Sequence, residues 1–201
     1  MSASLPTQRC INLYSRNDIN GSMKTKVDFV PMQDIEKMLA VSDAREKALL
    51  YLMTGGGLRV GEASMIKVED IDFRQSFLHI PHAKGGKSRT VVLLPLVSLA
   101  LKNYLNGRTG GWLFPSLAGD HIQKRRIQYI IDDLAARAGI RKISCHRLRH
   151  SFAIFSLQAN IDIYSLQKQL GHESILTTAI YLESQPSHRR DEYLRSGLFS
   201  A

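Results

Sequence analysis

The residues with the clearest chemical potential stand in one stretch, 144–181. It opens Ser-Cys-His-Arg-Leu-Arg-His, runs through an apolar helical segment, reaches Leu-Gly-His at 170–172 and closes on Thr-Thr-Ala-Ile-Tyr at 177–181. Ser144 is a good N-cap residue, which places His146 and Arg149 in the first turns of a helix. Three residues apart, they share one face, while Arg147 points elsewhere. Cations at that end oppose the helix macrodipole and cost stability. A bound anion reverses the cost, because unpaired N–H groups and the dipole both favour phosphate. The placement is poor for folding and good for gripping phosphate.

A second group lies upstream. Arg59 follows Gly55-Gly56-Gly57, and Glu62 stands three residues further on, where a carboxylate can brace the guanidinium from the same helix face. Lys84 and Lys87 flank Gly85-Gly86, a pair suited to a tight hairpin turn. His172 follows a helix-terminating glycine, and Tyr181 sits among Ile175, Leu176 and Ile180. Taken singly, each has an ordinary reading: a surface ion pair, solvated turn lysines, a histidine at a helix C-terminus, a core tyrosine. The fixed order in which they occur is the informative feature.

The elements that must position these groups are mostly helical. Pro31 opens a helix with Ile35, Met38 and Leu39 as its apolar stripe. Asp43 caps a second helix over 44–53, which the three glycines terminate, and a short helix follows over 60–67. Residues 77–80 and 90–94 change to strand patterning on either side of the glycine hairpin. Pro95 starts a helix to about 106. Residues 107–120 are loop, with Trp112, Leu113 and Phe114 packing on the core. A long helix covers 121–138 and stops at Gly139. The Ser144 helix, an Asp162-capped helix ending at Gly171 and a helix bearing Tyr181 complete the set. The fold class is mostly α with a small antiparallel sheet (α+β).

The bulk numbers narrow the partner. The chain has 201 residues, 27 Lys and Arg against 18 Asp and Glu, and a formal charge of +9, which favours a polyanion, nucleic acid first. At 44% the hydrophobic share is that of an ordinary globular protein. No apolar run approaches membrane-spanning length and no signal-peptide core is present, so we expect a cytoplasmic, nucleoid-associated protein. Cys10 and Cys145 form no C-x-x-C pair, and neither zinc nor a disulfide framework is indicated.

In combination these motifs resemble the tyrosine recombinase family: phage integrases, Xer-type resolvases and the short fimbrial-switch invertases. The matching pieces are residues 54–62 (Thr-Gly-Gly-Gly-Leu-Arg-Val-Gly-Glu), 83–89, 146–153 (His-Arg-Leu-Arg-His-Ser-Phe-Ala) and 170–181. Cys145 stands where the family commonly has proline, and Glu173 where a small residue is usual. The resemblance implies a catalytic-domain fold and a set of catalytic residues made of Arg59, Lys84, His146, Arg149, His172 and Tyr181. It implies that Tyr181 attacks a phosphodiester in double-stranded DNA, giving a 3′-phosphotyrosine and a free 5′-hydroxyl. Arg59 and Arg149 then hold non-bridging oxygens, His146 and His172 donate hydrogen bonds or manage the tyrosine proton, and Lys84 protonates the leaving oxygen. Glu62 orients Arg59, His150 is structural, and Lys87, Arg89 and Arg147 contact DNA.

No acidic cluster suited to a divalent metal and no P-loop is visible, so the expected mechanism needs no metal, cofactor or ATP. By the same resemblance, residues 28–185 are the catalytic domain, 1–27 a tail or linker remnant, and 186–201 a C-terminal segment that docks on a neighbouring protomer. The chain is then a monomer in isolation and a homotetramer on synapsed DNA. Full-length integrases also carry an N-terminal helical domain, which 1–27 are too few to build; a fragment and a naturally short form both fit. Two rivals are a nicking-closing topoisomerase using the same chemistry and a non-catalytic regulator, with 162–183 read as a helix-turn-helix. The regulator leaves Arg59, Lys84 and His146 unexplained.

Overall fold

The computed structural model describes residues 28–81 and 88–183. Helix α1 (Met32–Val41) buries Ile35 and Met38, as its stripe requires. Helix α2 (Ala44–Thr54) is the centre of the core: Ala48, Leu49, Leu50, Leu52 and Met53 are all buried, too many for one face. Its start is fixed by a capping box, with Asp43 accepting from the Glu46 N–H at 2.8 Å and Glu46 accepting from the Asp43 N–H at 2.9 Å. The glycines end it through bonds from the Gly55 and Gly56 N–H groups to the Tyr51 carbonyl.

Helix α3 (Val60–Ser64) is shorter than the expected 60–67. The reason is a non-local pairing: the Leu113 N–H donates to the Ile66 carbonyl at 2.8 Å, and Lys67 bridges to Trp112, so 66–67 run extended into a 3-10 turn at Val68–Asp70. A three-stranded antiparallel sheet follows in the order β1 (Ile71–Asp72), β2 (Phe77–Ile80), β3 (Arg89–Val92). The register pairs Leu78 with both Ile71 and Val91, and Ile80 with Arg89. β1 was not expected, and β3 ends two residues before 94 because Leu94 already serves as the extended N-cap of α4 (Pro95–Leu105).

The expected 121–138 helix begins later, as α5 (Lys124–Arg137). Residues 121–122 instead pair with the loop, the Ile122 N–H donating to the Phe114 carbonyl at 2.9 Å. Helices α6 (Cys145–Gln158) and α7 (Ile163–Leu170) begin at the Ser144 and Asp162 caps, and α8 (Ile175–Glu183) follows the turn at Gly171. α6 is a core helix, buried from Leu148 through Leu157 apart from the half-buried His150. Its first residue shows how the chain accommodates cysteine in place of proline: the Cys145 N–H, which proline lacks, donates to Gln128 Oε1 of α5 at 3.0 Å. Among the described residues no helix is long and apolar enough to cross a membrane.

Two contacts bring the sheet and α7 together. The Gln169 side-chain amide pairs with the backbone of Val92, accepting from its N–H at 2.9 Å and donating to its carbonyl at 3.0 Å. It occupies ladder groups that β3 would otherwise leave open. The second contact is Arg89 against Gly171, described below.

Candidate active site

The site forms where the glycine turn, the start of β3, the first turns of α6 and the α7–α8 turn meet. Glu62 is its centre. The carboxylate is buried, with 4% side-chain exposure, and accepts from Arg59 Nη1 at 2.9 Å and from the Arg59 backbone N–H at 2.7 Å. It also accepts two bonds from the Arg89 guanidinium, one of them Nη2 to Oε2 at 3.1 Å, and lies 3.9 Å from Arg149 Nη1. Burial alone raises the pKa of this carboxyl; the bonds from Arg89 and Arg59 and the charge of Arg149 bring it below its ordinary value.

Arg149 is 2% exposed. Its guanidinium donates to the Gly57 carbonyl at 2.5 Å and to the Leu170 carbonyl at 2.7 Å. Burial and the neighbouring Arg59 charge depress its pKa to about 9, with Arg89 adding to the effect and Glu62 opposing it. Arg59 reaches across to the Gly171 carbonyl at 3.3 Å and keeps 29% of its side chain exposed. Two glycines make this crossing possible. Gly57 has φ +67° and Gly171 φ +65°, and a Cβ would lie 2.5 Å from Phe152 Cδ1 in the first and 2.6 Å from Arg89 Cδ in the second.

The other half of the site is aromatic. Tyr181 is 2% exposed, and burial raises its pKa while Arg149 and Arg59 pull it back. His172, in the α7–α8 turn, lies parallel to the tyrosine ring with centroids 6.5 Å apart and pairs through Nδ1 with Thr178 Oγ1 at 2.9 Å. Its pKa falls to about 4 through burial and the charges of Arg149, Arg59 and Arg89. His146 is exposed; loss of hydration on its inner edge, then Arg149 and Arg59, lower its pKa. His150, which the sequence reading made structural, places Nδ1 2.8 Å from the Tyr181 hydroxyl oxygen.

The structure therefore brings Arg59, Glu62, His146, Arg149, His172 and Tyr181 together. Lys84 and Lys87 lie outside the described residues, as do 1–27 and 184–201. Arg89 and Arg147 differ from the expected DNA-contacting surface. Arg89 has a side chain 9% exposed and spends its guanidinium on Glu62; its Nε is buried with no partner among the described residues. Arg147 turns round α6, as a neighbour of His146 must, to pair with Asp28 at 2.9 Å and with the Phe29 carbonyl at 3.2 Å. It joins Ser151, which bonds both the Val30 N–H and carbonyl, in fastening residues 28–30 to α6. Among the described residues no three His, Cys, Asp or Glu side chains converge as a metal site would need.

Comparison with known proteins places these features in context. The model of a family described as the phage integrase family matches residues 28–188. The tyrosine recombinase XerA of Pyrococcus furiosus is 34% identical over 183 residues, spanning 87% of this chain and 64% of that protein. The tyrosine recombinase XerC of Oceanobacillus iheyensis is 32% identical over 185 residues, spanning 84% and 60%. A crystal structure of XerA recombinase superposes with a TM-score of 0.72 at 31% identity, covering 84% of this chain and 65% of that one. A post-cleavage complex of the XerH site-specific recombinase with palindromic difH substrate gives a TM-score of 0.63 at 26% identity, covering 74% and 46%. The chain thus spans about three-fifths of the length of these curated relatives.

Proposed function

This chain belongs to the phage integrase family, and on that footing we propose that it is a site-specific recombinase that cleaves and rejoins double-stranded DNA through a 3′-phosphotyrosyl bond to Tyr181. The observation that carries the reading is the imbalance of charge beside that tyrosine. Three guanidinium groups, of Arg59, Arg89 and Arg149, share one buried carboxylate. A phosphodiester supplies the missing anion, and the pentacoordinate transition state, with more negative charge on its oxygens, supplies more. The cluster is held before DNA arrives, so little reorganisation is needed when charge develops.

Arg59 and Arg149 are the residues that hold the non-bridging oxygens, and Glu62 with Arg89 orients them. His146 and His172, neutral at physiological pH, donate hydrogen bonds to the phosphate oxygens. Lys84 delivers the proton to the leaving 5′-oxygen. The covalent bond conserves the energy of the broken linkage, so rejoining needs no ATP, and the arginines take the part a metal plays elsewhere. Residues 28–185 form the catalytic unit, 1–27 a tail or linker, and 186–201 dock on a neighbouring protomer, the chain being monomeric alone and tetrameric on synapsed DNA. Its place of action is the nucleoid.

The test is covalent trapping. Nicked duplexes with randomised sequence round the nick, incubated with the chain in EDTA, should yield a protein–DNA adduct. Tyr181→Phe should yield none while retaining salt-sensitive DNA binding. Absence of any adduct from the native chain across the pool, or an undiminished adduct from the Phe variant, contradicts the reading.

A further inference from the structure

The proton of Tyr181 needs a destination. A neutral phenol is a poor nucleophile, and burial pushes the pKa of this one above its ordinary value. Two imidazoles, of His150 and His172, lie against it and a third, of His146, packs on the first, and the three are engaged differently. His172 Nδ1 is committed to Thr178 Oγ1 at 2.9 Å, and its ring lies flat beside the tyrosine ring. His146 is exposed and faces the arginine charges. His150, one turn further into α6, brings Nδ1 to 2.8 Å from the tyrosine oxygen. Its ring stands edge-on to His146 with centroids 4.1 Å apart at 70°, and tilted against Tyr181 with centroids 5.5 Å apart. These ring contacts fix the direction in which Nδ1 points.

We propose that His150 is the general base for Tyr181: with its own proton on Nε2, it accepts the phenolic proton at Nδ1 as the tyrosine oxygen attacks phosphorus. The inference rests on the strand-transfer reading above and adds a residue to it. In the forward step the Tyr181 O–H bond breaks, its electron pair stays on oxygen, and a new O–P bond forms. The bond from phosphorus to the 5′-oxygen breaks, and that oxygen takes a proton from the hairpin lysine. His150 becomes an imidazolium. In rejoining, it returns the proton to the departing tyrosine oxygen.

The groups facing His150 fit this cycle. Burial, with the charge of Arg149 on its own helix and of His146 once that ring is protonated, holds the His150 ring neutral in the free chain at a pKa of about 4. Asp28, from the segment packed on α6, opposes them, although Arg147 also holds that carboxylate. Tyr181 comes from α8, and His172 lies against the same tyrosine ring. A phosphodiester seated on Arg149 offsets one of the charges that depress His150. The base therefore strengthens once DNA is bound.

Two measurements test the assignment. In 15N-imidazole NMR of the full chain, assigned with His150→Asn, we expect His150 to carry its proton on Nε2. We also expect its Nδ1 resonance to move in Tyr181→Phe. A proton on Nδ1 in the native chain overturns the proposal. The second is single-turnover cleavage of duplexes selected with the native chain from the randomised pool. His150→Asn retains an acceptor near the Nδ1 position but cannot carry the proton away. We expect it to cleave about 100-fold more slowly at neutral pH. The deficit should shrink about tenfold per pH unit on the alkaline side, as the tyrosine ionises unaided. A bridging 5′ sulfur should not restore the rate, because the defect lies at the nucleophile. Near-native cleavage by the Asn variant, a deficit independent of pH, or rescue by sulfur each overturns the role of base. If the native chain cleaves nothing in the pool, the strand-transfer reading itself fails; if it cleaves and the Asn variant matches it, only the role of His150 fails.

Discussion

Arg59, Arg89 and Arg149 reach Glu62 from three separate segments and are held by multiple charge-assisted or main-chain bonds, two of them buried almost completely. His146, His150, His172 and Tyr181 meet instead through ring contacts and single hydrogen bonds between α6, the α7–α8 turn and α8. The first half fixes charges that must not move. The second keeps three imidazoles neutral beside a phenol, which suits a proton that must move. Both halves draw on the same cations: after burial, Arg149 and Arg59 are the charges that most lower the pKa of His172, and they partly offset the burial of Tyr181. Disturbing the arginine half should therefore disturb both, and disturbing the aromatic half should leave the arginines in place.

The largest effect we expect is from Glu62→Ala. It leaves buried cations without their carboxylate, which should cost about 3–5 kcal/mol and lower Tm by roughly 10 °C. Thermal denaturation at neutral pH measures it, and an unchanged Tm would mean the arginines do not depend on Glu62. Because the folded Glu62 pKa is lowered, its contribution is present above the unfolded carboxylate pKa and is lost as pH falls through the folded value. Glu62→Gln should therefore flatten the acid limb of the stability curve.

Arg89→Lys comes next. A lysine cannot make two parallel bonds to the carboxylate, and we expect a loss of about 1.5–3 kcal/mol together with slower cleavage. Stability equal to native, with only DNA affinity reduced, would return Arg89 to the DNA-contacting surface expected from sequence.

In the aromatic half, His150 and His172 have folded pKa values of about 4, below the unfolded histidine value. The unfolded chain then binds more protons between about pH 6.5 and 4. Stability should be full above that window and fall as pH drops through it. His172→Gln should make the fall shallower; an identical Tm–pH curve would show that the ring is not held neutral by the fold.

The smallest effect concerns Arg147. Its partner Asp28 is 75% exposed, so Arg147→Gln should cost no more than about 1 kcal/mol. Because Asp28 already holds the guanidinium, the salt dependence of DNA binding should barely change. A slope reduced by about one ion would make Arg147 a phosphate contact after all.

What could be read from sequence was what local signals determine. Asp43, Pro95, Asp162 and Gly171 mark helix ends through caps that involve a few neighbouring residues, and those ends stand where expected. The late start of α5 and the extended run after α3 depend on Phe114 and Leu113, which no local pattern reveals. The site divides in the same way. Arg59 and Glu62 are three residues apart and legible as a brace on one helix turn. Arg89 is 27 residues from Glu62 and His150 is 31 from Tyr181, so their partners appear only when the chain has folded. A signal for Arg89 was available, since it is the first residue of a strand whose ladder partner, Ile80, is buried. For His150 the signal was its place one turn after His146 on a helix that is otherwise core.

The central claim is that Tyr181 carries the DNA. Digestion of the trapped adduct with protease and nuclease, followed by mass spectrometry, should return a single nucleotide-bearing peptide with the phosphate on Tyr181. Attachment to Tyr164, an exposed residue of α7, or to Tyr193 would contradict the site described here.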